Sequence, residues 1–262
     1  MLDTNFFFTK QFRKKWIQSI RNMTTNEELI NLMKIAGPKM VPFFKAVCVY
    51  FVLNAHNHNG ECWTTILKCA PIVGLMLFIV LHGINTNSKF SYEHKILTAL
   101  IFSCLGDALL NHNYFVYGMC AFAVAQLFYI MAFGFQPLKL WIGCVLYSAG
   151  VATIFVLWRY LDPIILIGLP LYTILLVTMC WRSIALLFTA KNSGNFLRII
   201  CAISSALFVI SDTMIAIDKF YSPISNSSVW IMSTYYAAQF GITLSIVDAD
   251  KLKQNWTKKR TQ

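Results

Sequence analysis

Long apolar runs separated by short polar breaks set the pattern of this chain. Eight runs can be marked: Met40–Ala55, Thr65–Ile84, Ile96–Leu110, Tyr114–Phe135, Leu138–Leu157, Pro163–Trp181, Phe196–Ile217 and Val229–Val247. A helix crosses the hydrocarbon core with about 20 apolar residues, and about 17 can suffice. The first and third runs are short, and a re-entrant segment is the alternative for the first. The pattern predicts an all-α, polytopic integral membrane protein, an eight-transmembrane-helix bundle over residues 40–248. A basic cytoplasmic segment (1–39) precedes it and a basic cytoplasmic tail (249–262) follows. Before the first run, Thr25-Asn26-Glu27-Glu28 resembles a helix start ahead of Leu29, Leu32, Met33 and Ile35, which predicts a short surface helix.

Composition sharpens this. Of 262 residues, 57% are hydrophobic and 13% charged, against about 25% charged in a soluble domain. Such a chain cannot cover a water-facing surface. The net charge of +11 raises a nucleic-acid reading, but seven of the 22 Lys and Arg precede Val41 and five follow Ala249. Basic tails beside spans set orientation or touch anionic lipid, so no nucleic-acid partner is expected. With the amino terminus cytoplasmic, eighteen basic residues fall inside, while the outer loops hold only Arg159 and Lys219. That asymmetry places both termini in the cytoplasm. The first 40 residues lack the isolated apolar core of a secretory signal. The eight cysteines show no zinc spacing and read as small apolar fillers, with only Cys62 clearly in a loop.

Two aspartates break the apolar runs: Asp107 in Ser103-Cys104-Leu105-Gly106-Asp107 and Asp212 in Ser211-Asp212-Thr213. A charged acid at the bilayer centre costs at least ~2.5 kcal/mol, so intramembrane acids are rare and usually functional. Both lie one to two turns from the outer end of an outward-running helix, at similar depth. Equal depth is what a shared site requires. Ser103 shares the helix face of Asp107, and Gly106 leaves room for a neighbouring helix or a substrate. The structural alternative is that each acid is a packing group paired to a hydroxyl or a lysine.

Lys45 in the first run either snorkels inward or counters a carboxylate or phosphate. The eighth run is unusually polar, with Tyr235, Tyr236 and Gln239, and the fourth holds Gln126 beside Tyr129. Glutamines in lipid need partners, which a polar cavity supplies. The five histidines, 56, 58, 82, 94 and 112, sit in loops or near run ends. They do not converge at one depth, so no metal site and no cofactor are expected.

A family resemblance rests on five ordered motifs and on most of the chain, from about Gly37 to Val247. They are Gly37-Pro38-Lys39-Met40-Val41-Pro42-Phe43-Phe44-Lys45-Ala46, then Ser103 to Ala108, then Tyr129 to Pro137. Ser211-Asp212-Thr213-Met214-Ile215-Ala216 with Lys219-Phe220 comes next, followed by Ile231 to Gln239. On these motifs the chain resembles an animal member of the YhhN-type lysoplasmalogenase family of transmembrane proteins. Asp218 departs from the family pattern, where a neutral polar residue is usual, and is given no role.

The resemblance implies hydrolysis of the sn-1 vinyl ether of lysoplasmalogens, an ether hydrolase releasing fatty aldehyde and a glycerophospho-base. It implies a lysophospholipid substrate and a location in the endoplasmic reticulum membrane; the oligomeric state stays open. It also implies distant kinship to zinc-dependent membrane ceramidases, whose metal-binding histidines have no counterpart here. Vinyl-ether cleavage is acid chemistry and calls for one neutral and one charged carboxylate, as in glycosidases. Asp107 and Asp212 are the expected catalytic pair, with Asp107, next to Gly106, expected to donate the proton. Lys45, Ser103, Gln126, Tyr129, Ser211, Lys219, Tyr235, Tyr236 and Gln239 are expected to bind substrate. Two alternatives remain: a lipid or proton-coupled transporter or receptor using the aspartates as a relay, and a zinc-dependent lipid hydrolase.

Overall fold

The computed structural model describes residues 26–53, 61–83, 91–188 and 195–247. These form eight helices: α1 (Asn26–Val52), α2 (Cys62–His82), α3 (Tyr92–Asn111), α4 (Phe115–Phe133), α5 (Leu140–Leu157), α6 (Pro163–Leu186), α7 (Asn195–Phe220) and α8 (Ser227–Leu244). Five stretches are long and apolar enough to cross a membrane: Cys62–His82, Phe115–Phe133, Leu140–Tyr160, Pro163–Leu186 and Phe196–Phe220. The chain is therefore an all-α, multi-pass membrane protein. Helices α3 and α8 are more polar than these five. Asp107 lies on α3, and Tyr235, Tyr236 and Gln239 lie on α8.

One expectation changes at the start of the chain. The surface helix anticipated before the first run is the beginning of α1, which continues unbroken through Pro38 and Pro42 to Val52. Proline inside a helix removes a backbone donor, a loss that membrane helices tolerate when neighbours satisfy the freed groups. The basic segments before Asn26 and after Val247 lie outside the described residues, as do His56 and His58.

Successive helices pack as pairs except α4 and α5; α4 instead meets α6, and α8 meets α2. Helices α2, α3, α4, α6, α7 and α8 thus close a ring, with α1 against α2 and α5 leaning on α6 from outside. Apolar side chains add little drive between helices already in lipid, so small residues that allow close backbone approach decide such contacts. A Cβ on Gly74 of α2 would lie 2.9 Å from the Phe43 backbone of α1. One on Gly118 of α4 would lie 3.3 Å from the Gly106 carbonyl of α3, and Gly241 of α8 packs onto Ser204 and Ile200 of α7.

Basic side chains tie down one end of the ring. The last carbonyls of a helix lack intrahelical partners and carry the negative end of its dipole. Lys39 donates to the Leu81 carbonyl at the end of α2 (2.9 Å), and Lys95 to the Met131 carbonyl near the end of α4 (3.0 Å). Arg182, near the end of α6, is fully buried. Its Nε donates to the Gly134 carbonyl (2.6 Å) and its Nη1 to Pro137 (2.9 Å), clamping the α4–α5 loop.

Replacing Gly74 with alanine sets a methyl against backbone that no rotamer change can relieve. Overpacking of this kind costs about 1–3 kcal/mol. The Gly74→Ala protein is expected to melt measurably below wild type in detergent; an unchanged melting temperature would contradict the close α1–α2 crossing.

Candidate active site

Asp107 and Asp212 come together at one end of the ring, where α1, α3 and α7 end and α2, α4 and α8 begin. They line a common cavity of about 250 Å³ with Tyr50, Lys68, Ser211, Asp218, Lys219 and Tyr235, closed on its apolar side by Leu110, Phe115, Phe122, Ile215, Ile231 and Met232. Asp107 is 2% exposed. The matched depth expected from the run lengths is met by a cavity that both acids line.

Each acid is held by a tyrosine from another helix. Tyr235 Oη of α8 donates to Asp107 Oδ2 (2.6 Å), and Tyr172 Oη of α6 donates to Asp212 Oδ2. Behind these tyrosines lies a buried polar layer. Tyr129 Oη donates to Gln239 Oε1 (2.5 Å), Ser103 sits beside Tyr129, and Gln126 sits beside Tyr172. Ser103, Gln126, Tyr129 and Gln239 are fully buried and do not line the cavity. Among the described residues, Ser103 Oγ and both polar side-chain atoms of Gln126 make no hydrogen bond.

The remaining expected site residues divide. Ser211 lines the cavity while its hydroxyl donates to the Ile231 carbonyl (3.1 Å). Tyr236 lies behind the wall and donates to the Lys68 carbonyl (2.9 Å). Lys219 is exposed at the cavity rim, with its ammonium over the Phe115 ring at 4.8 Å. Lys45 is exposed on α1 and does not line the cavity. The lysine that does is Lys68, on α2. Asp218 accepts a bond from the Ile224 backbone N–H (2.7 Å) and so braces the α7–α8 turn.

Lys68, Tyr50 and Tyr172 escaped the sequence reading. Lys68 carried a usable signal, a charge inside an apolar run, the criterion that singled out the aspartates. Tyr172 carried none, since a lone tyrosine in a span looks like an anchor. Of the two alternatives at Gly106, a neighbouring helix or a substrate, the helix fills the space: a Cβ there would lie 2.6 Å from the Phe122 ring of α4. Among the described residues no group of three His, Cys, Asp or Glu side chains is arranged to hold a metal ion.

Comparison with known proteins now bears on this arrangement. The family model described as YhhN matches residues 63–246, from the second residue of α2 to just beyond α8. The chain belongs to the YhhN family. Human lysoplasmalogenase TMEM86A is 37% identical over 223 residues, covering 84% of this chain and 93% of the relative. Pig lysoplasmalogenase TMEM86B is 31% identical over 220 residues, covering 84% and 91%. A lysoplasmalogenase homolog of Dictyostelium discoideum is 28% identical over 244 residues, covering 73% and 80%. No solved structure matches. Both aspartates, Lys68 and all the tyrosines of the site except Tyr50 fall within the matched residues of this YhhN-family chain.

Proposed function

We propose that this chain is a lysoplasmalogenase, hydrolysing the vinyl ether of 1-alkenyl lysophospholipids to a fatty aldehyde and a glycerophospho-base. The observation that carries the reading is the pair of tyrosine-held aspartates in one intramembrane cavity, in a family whose curated relatives bear that name.

The chemistry assigns the two acids different tasks. Protonation of the alkenyl β-carbon leaves an oxocarbenium ion at the α-carbon, which water attacks to give a hemiacetal. The β-carbon lies on the chain side of the ether and the glycerol on the polar side. Asp212 lines both the polar cavity and the apolar space next to it, whereas Asp107 lines only the polar cavity. Asp212 is therefore the acid and Asp107 the base, the reverse of the assignment made on Gly106, whose free space the Phe122 ring occupies.

The proton balance closes. Asp212 gives its proton to the β-carbon, and Asp107 takes one from the attacking water. On collapse of the hemiacetal, Asp107 returns that proton to the glycerol oxygen while the hemiacetal hydroxyl restores Asp212. Lys68 and Lys219 sit in the cavity wall and at its rim, where their charges suit the substrate phosphate.

In the topology proposed from the charge asymmetry, all eight helices span the membrane and both termini are cytoplasmic. The cavity then faces the non-cytoplasmic side, as does exposed Cys62 at the start of α2. The endoplasmic reticulum is the proposed compartment, on the family resemblance and the basic tail Lys258-Lys259-Arg260.

Two outcomes check this reading. Purified protein given 1-alkenyl, 1-alkyl and 1-acyl lysophospholipids should release aldehyde from the alkenyl substrate alone. Asp107→Asn and Asp212→Asn should each lower that rate at least about a hundredfold, the usual range for general acid–base groups. Near wild-type cleavage by both variants would defeat the carboxylate mechanism. For orientation, Cys62 in sealed, cytoplasmic-side-out vesicles should resist an impermeant maleimide until the vesicles are opened; labelling of sealed vesicles would reverse the topology.

A further inference from the structure

Asp212 lines three contiguous cavities, and one of them is an apolar groove between α5, α6 and α7. The geometry points to this groove as the seat of the substrate's alkenyl chain, an inference that rests on the vinyl-ether reading above. A short apolar passage past Phe115, Met119, Phe122 and Ile215 joins it to the polar cavity, with Asp212 and Tyr172 at the junction. A vinyl ether is the point at which an apolar chain meets a polar glycerol, and Asp212 is the carboxylate that touches both kinds of space.

The direction of the chain follows from what closes the groove. At the end nearer the α5–α6 turn, Leu157, Ile165, Leu169 and Ala216 form a separate buried apolar cluster that seals it. Away from that seal the groove continues along α6 from Tyr172 to Cys180, about 12 Å at 1.5 Å per residue. The chain therefore runs from Asp212 towards the middle of the bilayer, where an alkyl tail already lies. Helix α5 forms the outer wall and is held against α6 by close contacts of Gly143 with Trp181 and of Gly150 with Thr173. Its Ala149 is exposed and its Thr153 half-buried, and both line the groove. Larger side chains there fill groove space without entering the helix packing.

The test compares Ala149→Phe and Thr153→Phe with wild type on two 1-alkenyl lysophosphoethanolamines, one with a long chain and one with a chain too short to enter the groove. Melting temperatures are measured in parallel. The expected result is a loss of at least about tenfold in kcat/KM for the long chain, carried mainly by KM. The short-chain rate should stay within about twofold. Unchanged long-chain kinetics in both variants would show that the groove holds ordinary bilayer lipid only, and would overturn the inference. Equal loss on both substrates would overturn it too, since it means damage to the site rather than exclusion of a chain. Wild-type protein that releases aldehyde from neither substrate would instead defeat the underlying vinyl-ether reading, and the inference with it.

Discussion

A carboxylate cannot enter hydrocarbon without partners, and this constraint organises the molecule. Leaving a charged group unpaired in a medium of low dielectric costs more than most helix contacts can offset. The bundle meets the requirement with two tyrosine hydroxyls brought from other helices, Tyr235 for Asp107 and Tyr172 for Asp212. Each bond joins two helices: α8 to α3, which are far apart in sequence, and α6 to its neighbour α7. Behind the tyrosines lie the buried polar side chains of Ser103, Gln126, Tyr129 and Gln239, of which Tyr129 donates to Gln239. The site is thus part of what closes the ring.

Closing a ring around polar groups demands close helix approach, which apolar bulk alone does not supply in lipid. The glycine contacts at Gly74, Gly118 and Gly241 meet that need on the helices around the site. Helix α5 plays another part. With Val145, Val151, Phe155 and Val156 exposed, it contributes little to the core and serves as one wall of the groove that reaches Asp212. Polar reaction space and apolar chain space then share a single carboxylate, which suits a substrate whose head and tail differ so sharply.

How much of this was legible in the chain follows from what each signal measures. Run lengths placed all eight helices, because apolar length is the dominant constraint in a bilayer. Depth along those runs brought Asp107 and Asp212 to one level, and the cavity places them together. Helix azimuth was not legible, since it depends on partners distant in sequence. Lys45 and Lys68 looked alike as lysines within or beside spans, yet only Lys68 faces the cavity. Tyr172 was missed on the same ground, because nothing on α6 announces a carboxylate on α7. Arg182 shows the converse. Its position at a run end was legible, but its burial against the Gly134 and Pro137 carbonyls belongs to the fold of the α4–α5 loop.

The central claim is that the two carboxylates act as one catalytic unit, and a double-mutant cycle tests it most directly. Residues that share one transition state are strongly non-additive when removed. The account predicts that protein carrying both Asp107→Asn and Asp212→Asn cleaves 1-alkenyl lysophospholipid no more slowly, within a few-fold, than the weaker single variant. A double variant whose loss equals the product of the two single losses would contradict it, and would make the aspartates independent contributors rather than an acid and its paired base.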